Sequence, residues 1–433
     1  MTSLSGVDIK RHLNLFSLYL LYCGAFLYFS IPSLGRPLLE LFLVASTISV
    51  LWHLPKIWRS PVFLLLGSCV LLQIASWVYC KQNFPQYAGS SPDLKRLGHL
   101  FLFVPIAWTL QANSRRPWML MVLFFAGLSL APFSMGNGVN EFLGAERPGF
   151  GFRNAQHAAL MFAMSLVALV AFRKRAFDYC GFAKNVAFLA LAFAVLYCVA
   201  IVAIADTRGV FLGLLAGVLL AGMVLLLKSM RPKRREVLMV VTLAMIMAAS
   251  LSLMSNPFSR WLSEVETVKL LVSGDTSSIP KDTSSGIRIH TWIEGWKWFV
   301  RSPLVGWGEN GKNLAIKESS ALPESVRNEF GHLHNSYMET LVNNGILGLA
   351  FLIALHVWIG GTVIKACRQK GIKDVQFFSL VAGTLWLTAN FFESFMFYRT
   401  GVMVFGISSA SLLAASGYNF GVSSPADRNE RLS

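Results

Sequence analysis

Charged residues are scarce in this sequence of 433 residues. They make up 14% of it, whereas soluble domains carry about 25%. Hydrophobic residues make up 55%, with a mean hydropathy of +0.55. This balance excludes an ordinary soluble domain and indicates a polytopic membrane protein. Acidic residues are scarcer than basic ones, since the sequence has 22 Asp and Glu and 38 Lys and Arg. No basic domain interleaved with aromatic residues stands apart, so we do not expect nucleic acid as a partner.

Cysteine is also scarce and shows no paired spacing. The six cysteines lie mostly inside apolar runs, and no C-x-x-C spacing occurs. We therefore expect neither a disulfide framework nor a zinc site built on them. The sequence also lacks a Walker motif for nucleotide binding, and it shows no internal repeat.

Apolar runs of the length that crosses a bilayer, about 20 residues, predict an all-α protein with about twelve transmembrane helices. The runs lie at roughly residues 13–30, 37–53, 61–79, 97–111, 117–134, 155–172, 186–205, 210–227, 237–255, 335–364, 375–393 and 400–416. Lys10 and Arg11 precede the first run, which lacks a small-x-small cleavage site. We interpret this run as a retained signal anchor.

Basic residues distinguish the two sides of the predicted bundle. One set of connections is short, rich in lysine and nearly free of acids, as cytoplasmic loops are, and both termini fall on that side. The other set then faces the periplasm, which makes the chain a multi-pass protein of a bacterial inner membrane, surrounded by membrane lipid. On this scheme residues 1–255 hold nine spans, 256–334 form a periplasmic loop subdomain, 335–420 hold three spans, and 421–433 are a cytoplasmic tail.

The predicted periplasmic loop contains a helix signal. Ser284 or Ser285 is placed to cap a helix that runs to about Arg301 and is ended by Pro303. The helix is rich in tryptophan, and such helices beside a membrane commonly lie in the interface. An anchoring helix on which Arg288 reaches the membrane surface is the alternative to a role for Arg288 in binding.

Arginines are concentrated on the predicted periplasmic side. Each one alone fits a residue that anchors the chain at the membrane surface, but together they bring up to five guanidinium groups to one face. Arginine is suited to bidentate contact with phosphate. No D-x-D or comparable acidic cluster on that side offers a site for a divalent cation, so we expect arginines to bind a diphosphate without a metal. The residues are Arg147, Arg153, Arg208, Arg288 and Arg399.

A histidine stands where the long loop meets the tenth apolar run. An ionisable group at that depth is costly and indicates a functional site, and imidazole is suited to act as a general base near neutral pH. His334 is therefore the candidate base, although it could also serve as a helix cap or anchor. Glu309, Glu339 and His332 are the competing bases, and Asn335 is placed to orient the imidazole or to bind sugar.

Several motifs resemble those of one known family. H-N at 334–335 followed by G-I-L-G at 345–348 is similar to the signature of O-antigen ligases (WaaL type), in the wider O-antigen ligase/polymerase family. T-R-G around Arg208, S-G-I-R ending at Arg288, and S-P-L-V-G-W-G at 302–308 are also similar to that family. So is the plan of twelve spans with a large loop before the histidine.

The resemblance implies a GT-C-like helical bundle that is a glycosyltransferase of lipopolysaccharide biosynthesis. It implies transfer of O-antigen from undecaprenyl diphosphate to the lipid A-core oligosaccharide, with inversion and without metal or cofactor. It implies His334 as base and Arg208 and Arg288 as diphosphate contacts. The alternatives are an O-antigen polymerase or a protein O-oligosaccharyltransferase with the same donor, or a non-catalytic exporter of lipid-linked sugars.

Overall fold

The structure is a computed structural model, and it describes residues 6–111, 113–144, 147–179, 184–228, 237, 240–245 and 257–420. Within these ranges all regular structure is helical, which confirms the all-α prediction. The helices are α1 (Gly6–Ser30), α2 (Pro32–Ile57), α3 (Pro61–Asn83), α4 (Lys95–Gly98), α5 (Phe103–Leu110), α6 (Arg116–Ser134), α7 (Asn140–Leu143), α8 (Ala155–Tyr179), α9 (Lys184–Ala205), α10 (Arg208–Lys228), α11 (Pro257–Val272), α12 (Ser284–Arg301), α13 (Gly311–Lys317), α14 (Glu324–Glu329), α15 (Ser336–Lys370), α16 (Lys373–Ala389) and α17 (Arg399–Ala415). Short 3-10 turns lie at His99–Leu102, Thr276–Ser278 and Phe395–Phe397.

Seven helices in the described ranges are long and apolar enough to cross a membrane, namely α1, α2, α3, α6, α8, α9 and α15. Two shorter apolar helices lie at Arg208–Val224 in α10 and at Arg399–Ala415. The chain is therefore consistent with a multi-pass membrane protein, and the number twelve stays a prediction. The predicted span at 237–255 lies mostly outside the described residues.

The predicted span at 97–111 is divided into α4, a 3-10 turn and α5. Pro105 has no backbone N–H, so it cannot donate the hydrogen bond to residue 101 that a continuous α-helix requires. A helix can accommodate proline in its first turn, and α5 accordingly begins at Phe103.

Small residues on α10 determine how closely it approaches α16. Gly209, Gly213 and Gly217 recur every fourth residue, the small-xxx-small pattern of closely packed membrane helices. A Cβ added at Gly213 or at Gly217 would lie 2.9 Å from an atom of α16. This packing places Arg208, the first residue of α10, beside the end of α16.

The segment between α11 and α15 has its own apolar core, which includes the buried Trp298, Trp307 and Leu333. Helix α12 of this segment ends at Arg301, as predicted. It begins one or two residues earlier than expected, because its N-cap is Thr283 and not Ser284 or Ser285. The hydroxyl of Thr283 accepts the N–H of Gly286 at 3.1 Å, which satisfies one of the free donors of the first turn.

One face of α12 packs on the segment that carries the histidines. The indole N–H of Trp292 donates to the carbonyl of Leu333 at 2.8 Å, and a Cβ at Gly295 would lie 3.1 Å from the Leu333 side chain. Trp296, on another face, is exposed. The membrane-interface interpretation of α12 therefore stays a prediction for that second face.

At Gly345 the backbone of α15 departs from helical geometry, and the preceding loop forms hydrogen bonds with the helix at this break. Gly345 has φ +65° and ψ −164° inside the helix. At the break the N–H of Ile346 donates to the carbonyl of Pro303 at 2.8 Å, and the N–H of Trp307 donates to the carbonyl of Val342 at 2.9 Å. Gly345 is therefore a point of close packing, and its neighbour is the loop at 303–307.

Gly345→Ala is expected to destabilise the protein by at least about 1–3 kcal/mol, because this backbone conformation is nearly restricted to glycine. The added Cβ would also lie 2.2 Å from the carbonyl oxygen of Leu304. Gly360 on the same helix is the matched control, since a Cβ there meets no atom within 4 Å. Melting of the detergent-solubilised protein, followed by tryptophan fluorescence, should separate the two variants. Equal melting temperatures would contradict a non-helical conformation at Gly345.

Candidate active site

Two histidines and a glutamate converge where the loop joins α15. The Nδ1 atom of His334 lies 3.4 Å from Oε2 of Glu393, and the Nδ1 atom of His332 lies 3.6 Å from Oε1 of the same carboxylate. The side chain of Glu393 is fully buried, that of His332 is 8% exposed, and that of His334 is 12% exposed. His334 is thus the member of the cluster best placed to meet a substrate.

Glu393 comes from the turn between α16 and α17. The N–H of Ser394 donates to its Oε1 at 2.9 Å. The same turn is tied to the start of α15, because the N–H of Ser336 donates to the carbonyl of Asn390 at 2.9 Å and the Ser336 hydroxyl donates to Oδ1 of Asn390 at 2.6 Å. These bonds hold the carboxylate in register with His334.

The surroundings decide which members of the cluster are ionised at neutral pH. Burial opposes ionisation of Glu393, but the hydrogen bond and charge of His334, the charge of His332 and the N–H of Ser394 outweigh it and lower the pKa of Glu393 to about 2. Burial, and then the charge of His334, lower the pKa of His332 to about 4. At neutral pH Glu393 is therefore a carboxylate and His332 a neutral imidazole, whose charge acts on Glu393 only in acid.

The backbone at His334 is strained, and the next residue caps a helix. His334 has φ +50°, a region that few residues other than glycine adopt and that recurs at functional sites. Oδ1 of Asn335 accepts the N–H groups of Tyr337 and Met338, each at 3.0 Å. The side chain of Asn335 therefore caps α15, and it is Glu393 that faces the imidazole of His334.

Glu339 ties the histidine segment to its neighbours. Its Oε1 accepts the N–H of Leu333 at 3.0 Å and the hydroxyl of Ser394 at 2.5 Å. Its Oε2 lies 2.5 Å from Arg96 and 3.9 Å from Nζ of Lys312. With both oxygens engaged and the side chain fully buried, Glu339 is a structural group and not a free base.

Arg96 and Lys312 add positive charge beside the cluster, and the sequence did not lead us to expect either. The guanidinium of Arg96 also stacks 4.3 Å from the ring centre of Phe397. Burial, and then the charge of Arg96, lower the pKa of Lys312 to about 8, against the charge of Glu339. Glu309, the remaining acidic candidate for the base, is exposed.

Three of the predicted arginines line one cavity. Arg147, Arg208 and Arg288 border a volume of about 160 Å³ together with the rings of Phe392 and Phe395. Those two phenylalanines flank Glu393 closely in the chain. The turn that presents the carboxylate to the histidines therefore also forms a wall of the arginine cavity.

Gln156 helps to position one of these arginines. With its amide oriented to satisfy both neighbours, its oxygen accepts from Nη2 of Arg288 at 2.8 Å and its nitrogen donates to the carbonyl of Phe392 at 3.2 Å. A single side chain at the start of α8 thus links α12 to the turn that carries Glu393.

The other two predicted arginines do not line this cavity. The guanidinium of Arg153 stacks 4.2 Å from the ring centre of Tyr398, and its charge acts on His332, so it belongs with the histidine cluster. Arg399 is the exposed first residue of α17. The five arginines grouped by the sequence are thus divided among different places.

The histidine cluster also has the donor set of a metal site. His332, His334 and Glu393 each offer one ligand atom, and these atoms all lie within 4.8 Å of one another. The expectation of no metal depended on the lack of a D-x-D motif and of paired cysteines. Such motifs carry no information about ligands that separate segments bring together.

Glu393 is the member of the histidine cluster that sequence reasoning missed. It was assigned to the last position of the predicted span at 375–393, whereas α16 already ends at Ala389. An acid at the end of an apolar run, here in F-F-E-S-F, is the signal that could have identified it.

Comparison with known proteins gives one result that covers the centre of the chain. A protein-family model described as O-Antigen ligase matches residues 193–353. The matched part includes Arg208, Arg288, His332 and His334, whereas Glu393 lies beyond it. A search of the curated proteins found no match. The resemblance recognised in the sequence is thereby confirmed over residues 193–353, which are similar to the O-antigen ligase family.

Proposed function

We propose that this protein is an O-antigen ligase, a glycosyltransferase of lipopolysaccharide biosynthesis in the bacterial inner membrane. It transfers O-antigen polysaccharide en bloc from undecaprenyl diphosphate to the lipid A-core oligosaccharide at the periplasmic face. The observation that carries the proposal is the His334–Glu393 pair beside a cavity lined by Arg147, Arg208 and Arg288. A base for the acceptor and a cationic pocket for the diphosphate are what this transfer requires.

His334 acts as the general base in this scheme. In the tautomer that serves this role, Nδ1–H donates a hydrogen bond to Glu393, which leaves the lone pair on Nε2 facing the acceptor. Nε2 takes the proton of the acceptor hydroxyl while that oxygen attacks the anomeric carbon of the donor sugar. The new bond forms opposite the bond that breaks, so the configuration inverts. The Glu393 carboxylate stabilises the imidazolium that results.

The arginines compensate the charge of the leaving group. The bond between the anomeric carbon and the phosphate oxygen breaks, and its electron pair stays on undecaprenyl diphosphate. Guanidinium groups held in place by packing need no reorganisation as that charge develops, and one such donor is worth about 100- to 1000-fold in rate. The transfer then needs no divalent cation. Arg153 stays a candidate contact because of its position near His332, and Arg399 stays one on topology alone.

A transfer assay with purified protein tests the proposal. Protein in detergent is incubated with undecaprenyl-linked glycan and rough lipopolysaccharide in the presence of EDTA. We expect lipopolysaccharide that carries the glycan, and no such product when the acceptor is omitted. Longer lipid-linked glycan would instead indicate a polymerase. Transfer that occurs only after a divalent cation is restored would contradict a reaction that needs no metal.

Arg208→Lys and Arg288→Lys are each expected to lower the transfer rate by about 100-fold or more, the usual loss for one preorganised donor. Lysine keeps the charge but cannot reproduce the planar, bidentate fork. Arg301→Lys is the matched control, because Arg301 lies exposed at the far end of α12. Rates are measured at saturating acceptor over a range of donor concentrations. Full activity in both variants would show that these arginines only anchor the chain at the membrane surface.

The layout across the membrane is tested by thiol labelling. We propose that residues 256–334 are periplasmic, with nine spans before them and three after, and that residues 421–433 are cytoplasmic. Ser277, which is exposed, is replaced by cysteine in a background without native cysteines. It should react with an impermeant reagent in intact spheroplasts. Ser114, exposed between α5 and α6, should react only after lysis, and the reverse pattern would invert the topology.

A further inference from the structure

The separations within the histidine cluster are close to those of ligands on one metal ion. A tetrahedral zinc ion with bonds of about 2.0–2.1 Å holds neighbouring ligand atoms about 3.3 Å apart. The Nδ1 atoms of His334 and His332 lie 3.4 Å and 3.6 Å from the two oxygens of Glu393. One ligand atom from each residue can be chosen so that all three lie within 4.8 Å of one another, so an ion among them requires the side chains to draw together by no more than about 1.5 Å.

An unsatisfied atom within the cluster points to a ligand as well. The Nδ1 atom of His332 is buried and makes no hydrogen bond to any residue in the described part of the chain. Its side chain is only 8% exposed. A buried polar atom without a hydrogen bond costs free energy, and a metal bond at Nδ1 removes that cost.

We propose that His332, His334 and Glu393 bind a Zn²⁺ ion that switches the transfer site off. Two imidazole nitrogens and a carboxylate oxygen form a ligand set that zinc commonly takes, with a fourth position left for water. The 12% of His334 that is exposed gives the ion its route into the cluster. Zinc at this site inhibits and does not take part in the transfer.

The inhibition follows from the tautomer of His334, and this part of the inference rests on the proposed function. An imidazole that binds zinc through Nδ1 carries its hydrogen on Nε2. The hydrogen that Nδ1 shares with Glu393 in the absence of zinc is thus relocated to Nε2, and the imidazole neither gains nor loses a proton. Nε2 then has no lone pair and cannot take a proton from the acceptor hydroxyl. Glu393, now a zinc ligand, no longer stabilises an imidazolium.

Zinc binding can be measured without any transfer reaction. The full chain, purified with an affinity tag that contains no histidine, is stripped with EDTA and dialysed against buffered Zn²⁺. Bound metal is then counted by mass spectrometry. We expect one ion per chain. His332→Ala should weaken binding by more than the roughly 10- to 100-fold that loss of an outer-shell partner costs.

Two further variants distinguish the loss of a zinc ligand from misfolding. Glu393→Gln keeps the shape of the side chain and should also lose zinc, whereas His99→Ala, which removes an exposed histidine, should retain it. Melting temperatures verify that each variant is folded. No stoichiometric zinc in the wild type, or equal binding in folded His332→Ala and Glu393→Gln, overturns the site.

The inhibitory role has its own measurement. Zn²⁺ should stop transfer by the wild type, and EDTA should restore it. His332→Ala should be less sensitive to zinc, relative to its own rate without zinc. Zinc that binds without slowing transfer overturns the switch. If His334→Ala retained full transfer while the wild type bound zinc, the metal site would stand and the proposed base would fail.

Discussion

Replacing His334 by alanine is expected to lower the turnover number by about 100- to 10,000-fold, the usual contribution of a general base. A sugar hydroxyl is a weak acid, so its oxygen attacks slowly unless a base removes the proton. The protein should still fold and bind the donor, because Arg147, Arg208 and Arg288 line their cavity independently of His334. The measurement is the steady-state rate of glycan transfer to rough lipopolysaccharide.

His332→Ala is the comparison for this prediction, and its effect should be much smaller. The two rings are neighbours, with centres 3.9 Å apart, but His332 is more deeply buried and remains neutral. Equal losses of turnover in the two variants would contradict the assignment of His334, and not His332, as the base. Loss of donor binding in His334→Ala would instead make the histidine a diphosphate contact.

Glu393→Gln is expected to lower the turnover number by about 100-fold. This is less than the roughly 10,000-fold lost with the orienting carboxylate of a serine-protease triad. Here Nδ1 of His334 and Oε2 of Glu393 are 3.4 Å apart, so their hydrogen bond is long and weak. The amide keeps the shape of the side chain but cannot stabilise the imidazolium. The same transfer assay measures the rate, and donor binding should be unchanged.

Glu339→Gln separates this effect from a loss of structure. Glu339 is also a fully buried carboxylate, but it pairs with Arg96, and removing one partner of a buried ion pair costs about 3–5 kcal/mol. We expect this variant to melt at a lower temperature than Glu393→Gln. Wild-type turnover in Glu393→Gln would remove the carboxylate from the mechanism.

Local sequence patterns predicted most of the helices, because each depends on residues close in the chain. The long apolar runs correspond to α1, α2, α3, α6, α8, α9 and α15, and the end of α12 at Arg301 was also predicted. The break in α15 could not be predicted in the same way. The glycine at 345 was visible, but its conformation depends on hydrogen bonds to the loop at 303–308.

The candidate site was only partly predictable for the same reason. His334 and the arginines stand out because ionisable groups are rare at the ends of apolar runs. Glu393 reaches His334 from 59 residues away in the chain, and Arg96 reaches Glu339 from 243 residues away. No spacing rule connects such pairs. Side-chain geometry therefore supplied both the partner of the base and the division of the arginines.

A single-turnover experiment tests the central claim most directly. Enzyme in excess over lipid-linked donor is mixed with saturating rough lipopolysaccharide, and the transfer rate of the wild type is compared with that of His334→Ala. Donor affinity is measured separately for each protein. We predict a rate at least about 100-fold lower in the variant, with unchanged donor affinity. An unchanged rate, or a loss explained entirely by weaker donor binding, would contradict the assignment of His334 as the base.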